Sequence, residues 1–229
     1  MGMDIEFIAE PIVDLNGNTF GVELLTRFTS NQKKLLHPGF VIAGWNLERK
    51  REFLFEQCSA IAEKQDWFLA NHFFCTVNID HSMATLLKND TDLRSKFESM
   101  PFIKLEISEQ FPGLGDGLES SLISFLKNGK NALWLDDLGA GHANVTSLMN
   151  GYFDVVKIDR IFFNAQIKKA SFPLLINKIR SYCDRIVVEG IESNEHMEML
   201  KSVGIWGLQG YLFESVPFQR IEALSHRVR

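Results

Sequence analysis

Cysteine is scarce in this chain: Cys58, Cys75 and Cys183 are odd in number, far apart and set among apolar residues. That pattern excludes a disulfide framework and reads as buried free thiols in a reducing compartment. Proline is equally sparse, with 6 scattered residues and no Pro/Ser-rich or low-complexity stretch, so nothing marks a linker and residues 1–229 read as one domain. No apolar run approaches the roughly 18 residues a membrane helix needs, and Met1 to Phe7 lacks the basic-then-apolar pattern of a leader. A soluble, cytoplasmic protein with no membrane segment is expected. Basic charge is also short. Lys and Arg total 24 against 29 Asp and Glu, for a net charge of -5. No basic field is available for DNA, although a local cationic or metal-lined pocket can still take a small phosphate ligand. The histidines, among them His37, His72 and His142, have neither an i, i+4 partner nor adjacent cysteines, which argues against structural zinc.

What the chain does have is a regular succession of apolar runs, at 45% hydrophobic residues overall. Ile5 to Val13 and Thr19 to Leu25 flank Asp14-Leu15-Asn16-Gly17-Asn18, a hairpin signal that makes the first two strands antiparallel. Arg27 to Gly39 reads as a polar loop, and Glu48 to Phe68 as one long amphipathic helix. Strands are expected at Phe73 to Ile79, Phe102 to Ile107, Asn131 to Leu135, Asp154 to Ile158, Ile186 to Val188 and near Leu208. Helical patterns separate them: mixed helix to Met100, a helix opened by an Asp116/Glu119 capping box, and helices from Asn144, over Leu174 to Cys183, over Asn194 to Val203 and from Phe218. About eight strands alternating with helices over this length predict an α/β fold, a modified TIM-like (β/α)8 barrel with an antiparallel first strand. The alternative, a doubly wound open sheet, usually carries a glycine-rich phosphate loop after its first strand, and none is present.

Polar residues fall near the C-terminal ends of successive predicted strands: Glu23, Asn78, Glu106, Asp136 with Asp137, Lys157 with Asp159, Glu189 and Gln209. Each has an ordinary explanation alone, as a turn former, a snorkelling lysine or a surface acid. The adjacent acids Asp136 and Asp137 could be a helix cap and a solvated neighbour. A barrel, however, gathers strand ends into one ring, where so many carboxylates repel unless divalent cations or protons neutralise them. Aspartate and glutamate oxygens suit magnesium or manganese, and the pattern calls for two such ions.

In this order the residues resemble the EAL-domain phosphodiesterases that hydrolyse cyclic di-GMP. Glu23-Leu24-Leu25 stands for the family tripeptide inside a stretch that ends at Arg27. Val77-Asn78-Ile79, Glu106-Ile107-Ser108-Glu109, Asp136-Asp137-Leu138-Gly139-Ala140-Gly141, Lys157-Ile158-Asp159, Glu189-Gly190-Ile191-Glu192 and Gln209-Gly210-Tyr211 complete the series. The resemblance implies that Glu23, Asn78, Glu106 and Asp136 hold one Mg²⁺ or Mn²⁺ ion, and that Asp136, Asp137 and Glu189 hold a second. It further implies that Lys157 acts on the attacking water, Glu192 and Gln209 position the water network, and Glu109 anchors the loop from Leu138. Arg27 would contact a phosphate, and Leu25, Glu10 and Asp159 would also bind substrate. The implied reaction is opening of cyclic di-GMP to linear pGpG by a homodimer that pairs through the segments Asn144 to Asn150 and Ile161 to Ile167, with Phe162 and Phe163 on an exposed turn. Leu24, Leu138, Ala140 and His142 depart from the family's usual residues, as does Glu10, where a Gln is common; a carboxylate there could accept from guanine or simply be a solvated strand-end acid. The competing class is a catalytically silent member of the fold that binds cyclic di-GMP or a protein partner.

Overall fold

Asp14 shapes the first turn, accepting hydrogen bonds from the backbone of Asn16 and Asn18 at 2.8 and 2.9 Å, while Gly17 adopts φ +85°. Strand β1 (Met3–Val13) is thereby folded back antiparallel on β2 (Thr19–Ser30). The computed structural model describes residues 3–30, 35–140, 148 and 151–226. Strand β2 runs well past Arg27, where a loop was expected. The first half of β1 supplies partners as far as Met3 opposite Ser30, and a short β3 (Leu35–Leu36) pairs with Phe28 and Thr29.

From β2 the sheet continues in parallel through β4 (Phe74–Asn78), β5 (Ile103–Ser108), β6 (Leu133–Leu138), β7 (Val155–Ile158), β8 (Ile186–Val188) and β9 (Gly207–Leu208). Strand β9 pairs antiparallel with β1 at Val13 and Leu208, which closes the sheet into the expected eight-stranded modified barrel. A short β10 (Val216–Pro217) adds to the outer edge of β1. Nine α-helices among the described residues lie between strands: α1 (Pro38–Ala43), α2 (Leu47–Ala62), α3 (Gln65–Asn71), α4 (His81–Asn89), α5 (Thr91–Glu98), α6 (Ser121–Lys127), α7 (Arg160–Gln166), α8 (Phe172–Arg180) and α9 (Asn194–Leu200). None is long and apolar enough to cross a membrane.

The expected long helix is broken into α2 and α3 around Lys64. Buried Ile61 and Phe68 are separated by two helical turns, so the apolar period runs straight through the break and conceals it. Asp116 and Glu119 do not open an α-helix either. They lie in a 3-10 segment with Gly115 and Gly117, poor helix formers, and the cap of α6 is Ser120, whose hydroxyl accepts from the Ile123 amide. The helix expected from Asn144 falls, apart from Leu148, outside the described residues.

The barrel interior is layered by the two-residue period of its strands. Ile12, Trp134, Val155 and Val187 form a buried apolar plug with Phe20, Phe74 and Trp206 packed against it. Two residues on towards the same barrel end stand Glu10, which precedes Ile12 on the antiparallel β1, and Asp136, Lys157 and Glu189, which follow Trp134, Val155 and Val187, so the ionic layer rests directly on the aromatic one. A larger core fills the space between sheet and helices and takes in all three cysteines, which are buried and unbridged.

Candidate active site

Strand β2 pairs with β4 only through Gly21 to Glu23, so Glu23 marks the point where β2 leaves the barrel wall. Its carboxylate sits opposite Glu10 on β1 and points inward. Asn78 ends β4 and donates to Glu23 Oε1 at 2.5 Å; Gln209, just past β9, donates to Glu23 Oε2 at 2.7 Å. Glu106, Asp136 and Lys157 are buried near the ends of β5, β6 and β7, and Glu189 follows β8. The strand-end groups expected from the sequence, Asp159 excepted, are thus brought together, with the ammonium of Lys157 at their centre. The Lys157 Nζ lies 2.8 Å from Glu189, 2.9 Å from Glu23, 3.1 Å from Asp136 and 3.5 Å from Glu106.

Adjacent residues of a regular strand point to opposite faces, which would send Asp137 out of the barrel. A bulge in β6 prevents this. Between Leu135 opposite Val156 and Leu138 opposite Ile158 the strand carries one residue more than its neighbour, and Asp137 takes the left-handed conformation, φ +58°. Aspartate tolerates that region better than most residues. The turn beyond is held from two sides: Glu109 accepts from the Gly139 amide at 2.9 Å, and the Phe162 ring lies so close that a Cβ on Gly139 would meet it at 2.3 Å.

One ammonium cannot balance this many acids. Burial would depress Lys157, but the carboxylates around it, Asp136 and Glu106 foremost, hold its pKa well above the ordinary lysine value. Burial pushes Glu106 well up, with Glu23, Asp136 and Glu189 adding to the rise against the pull of Lys157. Burial likewise raises Glu189 to about 8 and, aided by Asp136, raises Asp137 to about 6. Among the acids around Lys157, Glu23 alone falls below its usual range, because Lys157, Gln209 and Asn78 together outweigh its burial. Glu106 Oε1 also lacks a hydrogen-bond partner, and Asp136 Oδ1 has only the Lys157 ammonium, 3.1 Å away. Ligand oxygens of Glu23, Glu106 and Asp136 lie within 4.8 Å of one another, as do those of Asp136, Asp137 and Glu189. Two hard-oxygen triads sharing Asp136, with an unsatisfied Glu106 oxygen and surplus negative charge, fit a pair of divalent cations.

Two open cavities flank the acid pair. One, of about 390 Å³, is lined by α1 and by Asp80, His81, Gln110 and Phe111; the other, of about 290 Å³, by Glu10, Leu25, Arg160, Gly190 and Tyr211. Asp136 and Asp137 line both. Glu10 and Leu25 thus line the smaller cavity, and burial together with Glu23 raises the Glu10 pKa. Other expected site residues lie elsewhere, among them Arg27 and Asp159, expected to bind substrate, and Glu192, expected to position water. Arg27 turns to Glu6 at 3.1 Å and lines neither cavity; Asp159 accepts from the Phe162 amide at 2.9 Å as the cap of α7; Glu192 is exposed and also lines neither. Phe162 and Phe163 are not an exposed pair, since Phe163 is fully buried against Phe172 and His196, and Ile161 is the residue that faces solvent. His142 and Gly141 fall outside the described residues. Sequence reasoning assigned no role to Arg160, Tyr211 or His81, although Arg160 directly follows the Lys157-Ile158-Asp159 motif and Tyr211 ends the Gln209-Gly210-Tyr211 one.

The profile of the EAL domain matches residues 3–215. The chain belongs to the EAL domain family. Among its relatives is YdiV of Escherichia coli K12, whose name marks it as a candidate anti-FlhC(2)FlhD(4) factor; the two are 30% identical over 222 residues, 95% of this chain and 93% of YdiV. The cyclic di-GMP phosphodiesterase PdeH of the same organism is 27% identical over 208 residues, 88% of this chain and 80% of PdeH. Among solved structures, that of the EAL-like domain protein YdiV superposes with a TM-score of 0.89 at 28% identity, covering 98% of this chain and 97% of the other. EAL membership and the barrel thus agree with what the motifs implied.

Proposed function

We propose that this EAL protein is a cytoplasmic phosphodiesterase, a single catalytic domain that opens cyclic di-GMP to linear pGpG. The observation that carries this reading is the convergence of Glu23, Glu106, Asp136 and Glu189 on Lys157, with Asn78 bonded to Glu23 and Asp137 beside Asp136 and Glu189, at one end of the barrel. Glu23, Asn78, Glu106 and Asp136 would hold one Mg²⁺ or Mn²⁺ ion, and Asp136, Asp137 and Glu189 the other. Bound there, such ions activate water and stabilise charge on the phosphoryl group. The protein's own part is positional. Gln209 and Asn78 fix Glu23 by hydrogen bonds, and Glu109 holds the Gly139 turn next to Asp137. Lys157 presents a charged Nζ at the centre of the ring, a donor suited to orienting an attacking water. Glu10 and Leu25 would face a base in the smaller cavity. Pairing into a homodimer is part of the same proposal. Incubation of the purified chain with cyclic di-GMP and Mn²⁺ should yield pGpG, and Glu23→Ala or Asp136→Ala should reduce turnover by orders of magnitude.

A second reading has its own support. The YdiV match is the more extensive of the two sequence matches, and its name describes action against FlhC(2)FlhD(4), not hydrolysis. On the comparisons alone, a silent EAL protein that docks on a protein partner is the better-supported role; the complete ligand ring is what favours the enzyme. Absence of pGpG from well-folded protein with Mg²⁺ or Mn²⁺, together with co-elution with FlhC(2)FlhD(4), would establish this second role instead.

A further inference from the structure

Arg160 opens α7 and lines the smaller cavity together with Asp136, Asp137 and Glu189. Its direction is built into the backbone beside it. The stem crosses Gly190 so closely that a Cβ there would fall 2.1 Å from Arg160 Cγ, and Gly190 holds φ +75°, a conformation suited to glycine. The stem is thus seated, and the head is left to solvent at the cavity: the residue is exposed, and among the described residues its guanidinium reaches no carboxylate within ion-pair distance. A cation at the mouth of an acidic cleft with no acid of its own is electrostatically incomplete. Arg27 is differently disposed, being engaged with Glu6 and absent from the lining of both cavities.

We propose that Arg160 is a phosphate-binding residue of the cleft, gripping a non-reacting phosphate of the ligand with its guanidinium fork. The inference rests on the reading that the cleft takes a cyclic dinucleotide. A fixed stem removes part of the entropy lost when an arginine is immobilised, and a planar fork matches two phosphate oxygens. Tyr211, itself exposed, lines the same cavity.

The test is calorimetric titration of the Ca²⁺-loaded protein with cyclic di-GMP at several salt concentrations. Arg160→Met keeps the aliphatic stem over Gly190 and removes only the charge and the fork, so folding is preserved. It should weaken binding about 10- to 100-fold, the usual effect of losing a charged hydrogen-bond donor, and flatten the dependence on salt. Arg160→Lys should fall between, and Arg27→Ala should change affinity less than Arg160→Met. Parent-like affinity in Arg160→Met, or a loss with unaltered salt dependence, overturns the proposal. A parent that binds no cyclic di-GMP under any condition overturns the dinucleotide reading itself, and this inference with it.

Discussion

Replacing Lys157 by methionine isolates what holds the ring together before any cation arrives. The side chain is fully buried, and methionine fills nearly the same volume without charge. Its removal leaves Glu23, Glu106, Asp136 and Glu189 facing one another with no counter-charge, where four contacts of 2.8 to 3.5 Å stood before. Breaking a buried charge pair by deleting one partner typically destabilises a protein by about 3–5 kcal/mol. Proton uptake by the acids offsets part of this, so the lower end is expected near pH 7. At about 2–3 kcal/mol per molar urea for a chain of this size, the unfolding midpoint of metal-free protein should fall by about 1–2 M. Mn²⁺ should raise the midpoint of the variant more than that of the parent, because cations then supply the whole of the missing positive charge. The assay is urea denaturation with chelator and with excess Mn²⁺. A metal-free variant as stable as the parent would show that Lys157 is not the internal counter-ion, and the electrostatic account of the ring would be wrong.

Other outcomes follow from the same geometry. Because Asp137 and Glu189 are raised to about 6 and about 8, the folded protein holds more protons than the unfolded chain between their ordinary values and those limits. Metal-free stability should therefore fall as pH rises from about 4 to 8, by up to about 1.4 kcal/mol per pH unit for each proton, and the slope should flatten with Mn²⁺; a rise over that window would contradict the assignment. Asp137→Asn should preserve the β6 bulge, whereas Asp137→Val should cost an additional 1–2 kcal/mol or so for its left-handed backbone, measured by thermal melts of metal-free protein. Lys157→Ala should slow pGpG formation while leaving cyclic di-GMP affinity in Ca²⁺ largely intact, and equal loss of both would make Lys157 a substrate clamp. Asn131 donates to the carbonyls of Phe97, Met100 and Ile103 at 3.0 to 3.2 Å, so Asn131→Ala should lower stability by about 1–3 kcal/mol with no change in metal affinity.

Much of this molecule is written locally. Asp14 to Asn18 carry their own turn chemistry, and the apolar runs before Asn78, Glu106, Asp136 and Lys157 end where the strands deliver those groups, so the antiparallel opening and the ring could be inferred from residue order. Element ends were less legible where no local signal competes: the break between α2 and α3 is hidden by an unbroken apolar period, and the extension of β2 depends on partners contributed by β1 and β3. Tertiary structure alone decided which polar groups share the cleft. The bulge that turns Asp137 to the side of Asp136 is a misregister between β6 and β7, invisible in either strand by itself. Arg27 lies beyond the point where β2 leaves the barrel and finds Glu6, while Arg160 is placed at the cavity because Gly190, on the next strand's loop, leaves room for its stem. Phe163 is buried for the same kind of reason, since residues distant in sequence, Phe172 and His196, close over it. A chain can encode the chemistry of each strand end in its local pattern, but which neighbour neutralises, seats or covers a side chain depends on contacts between distant segments.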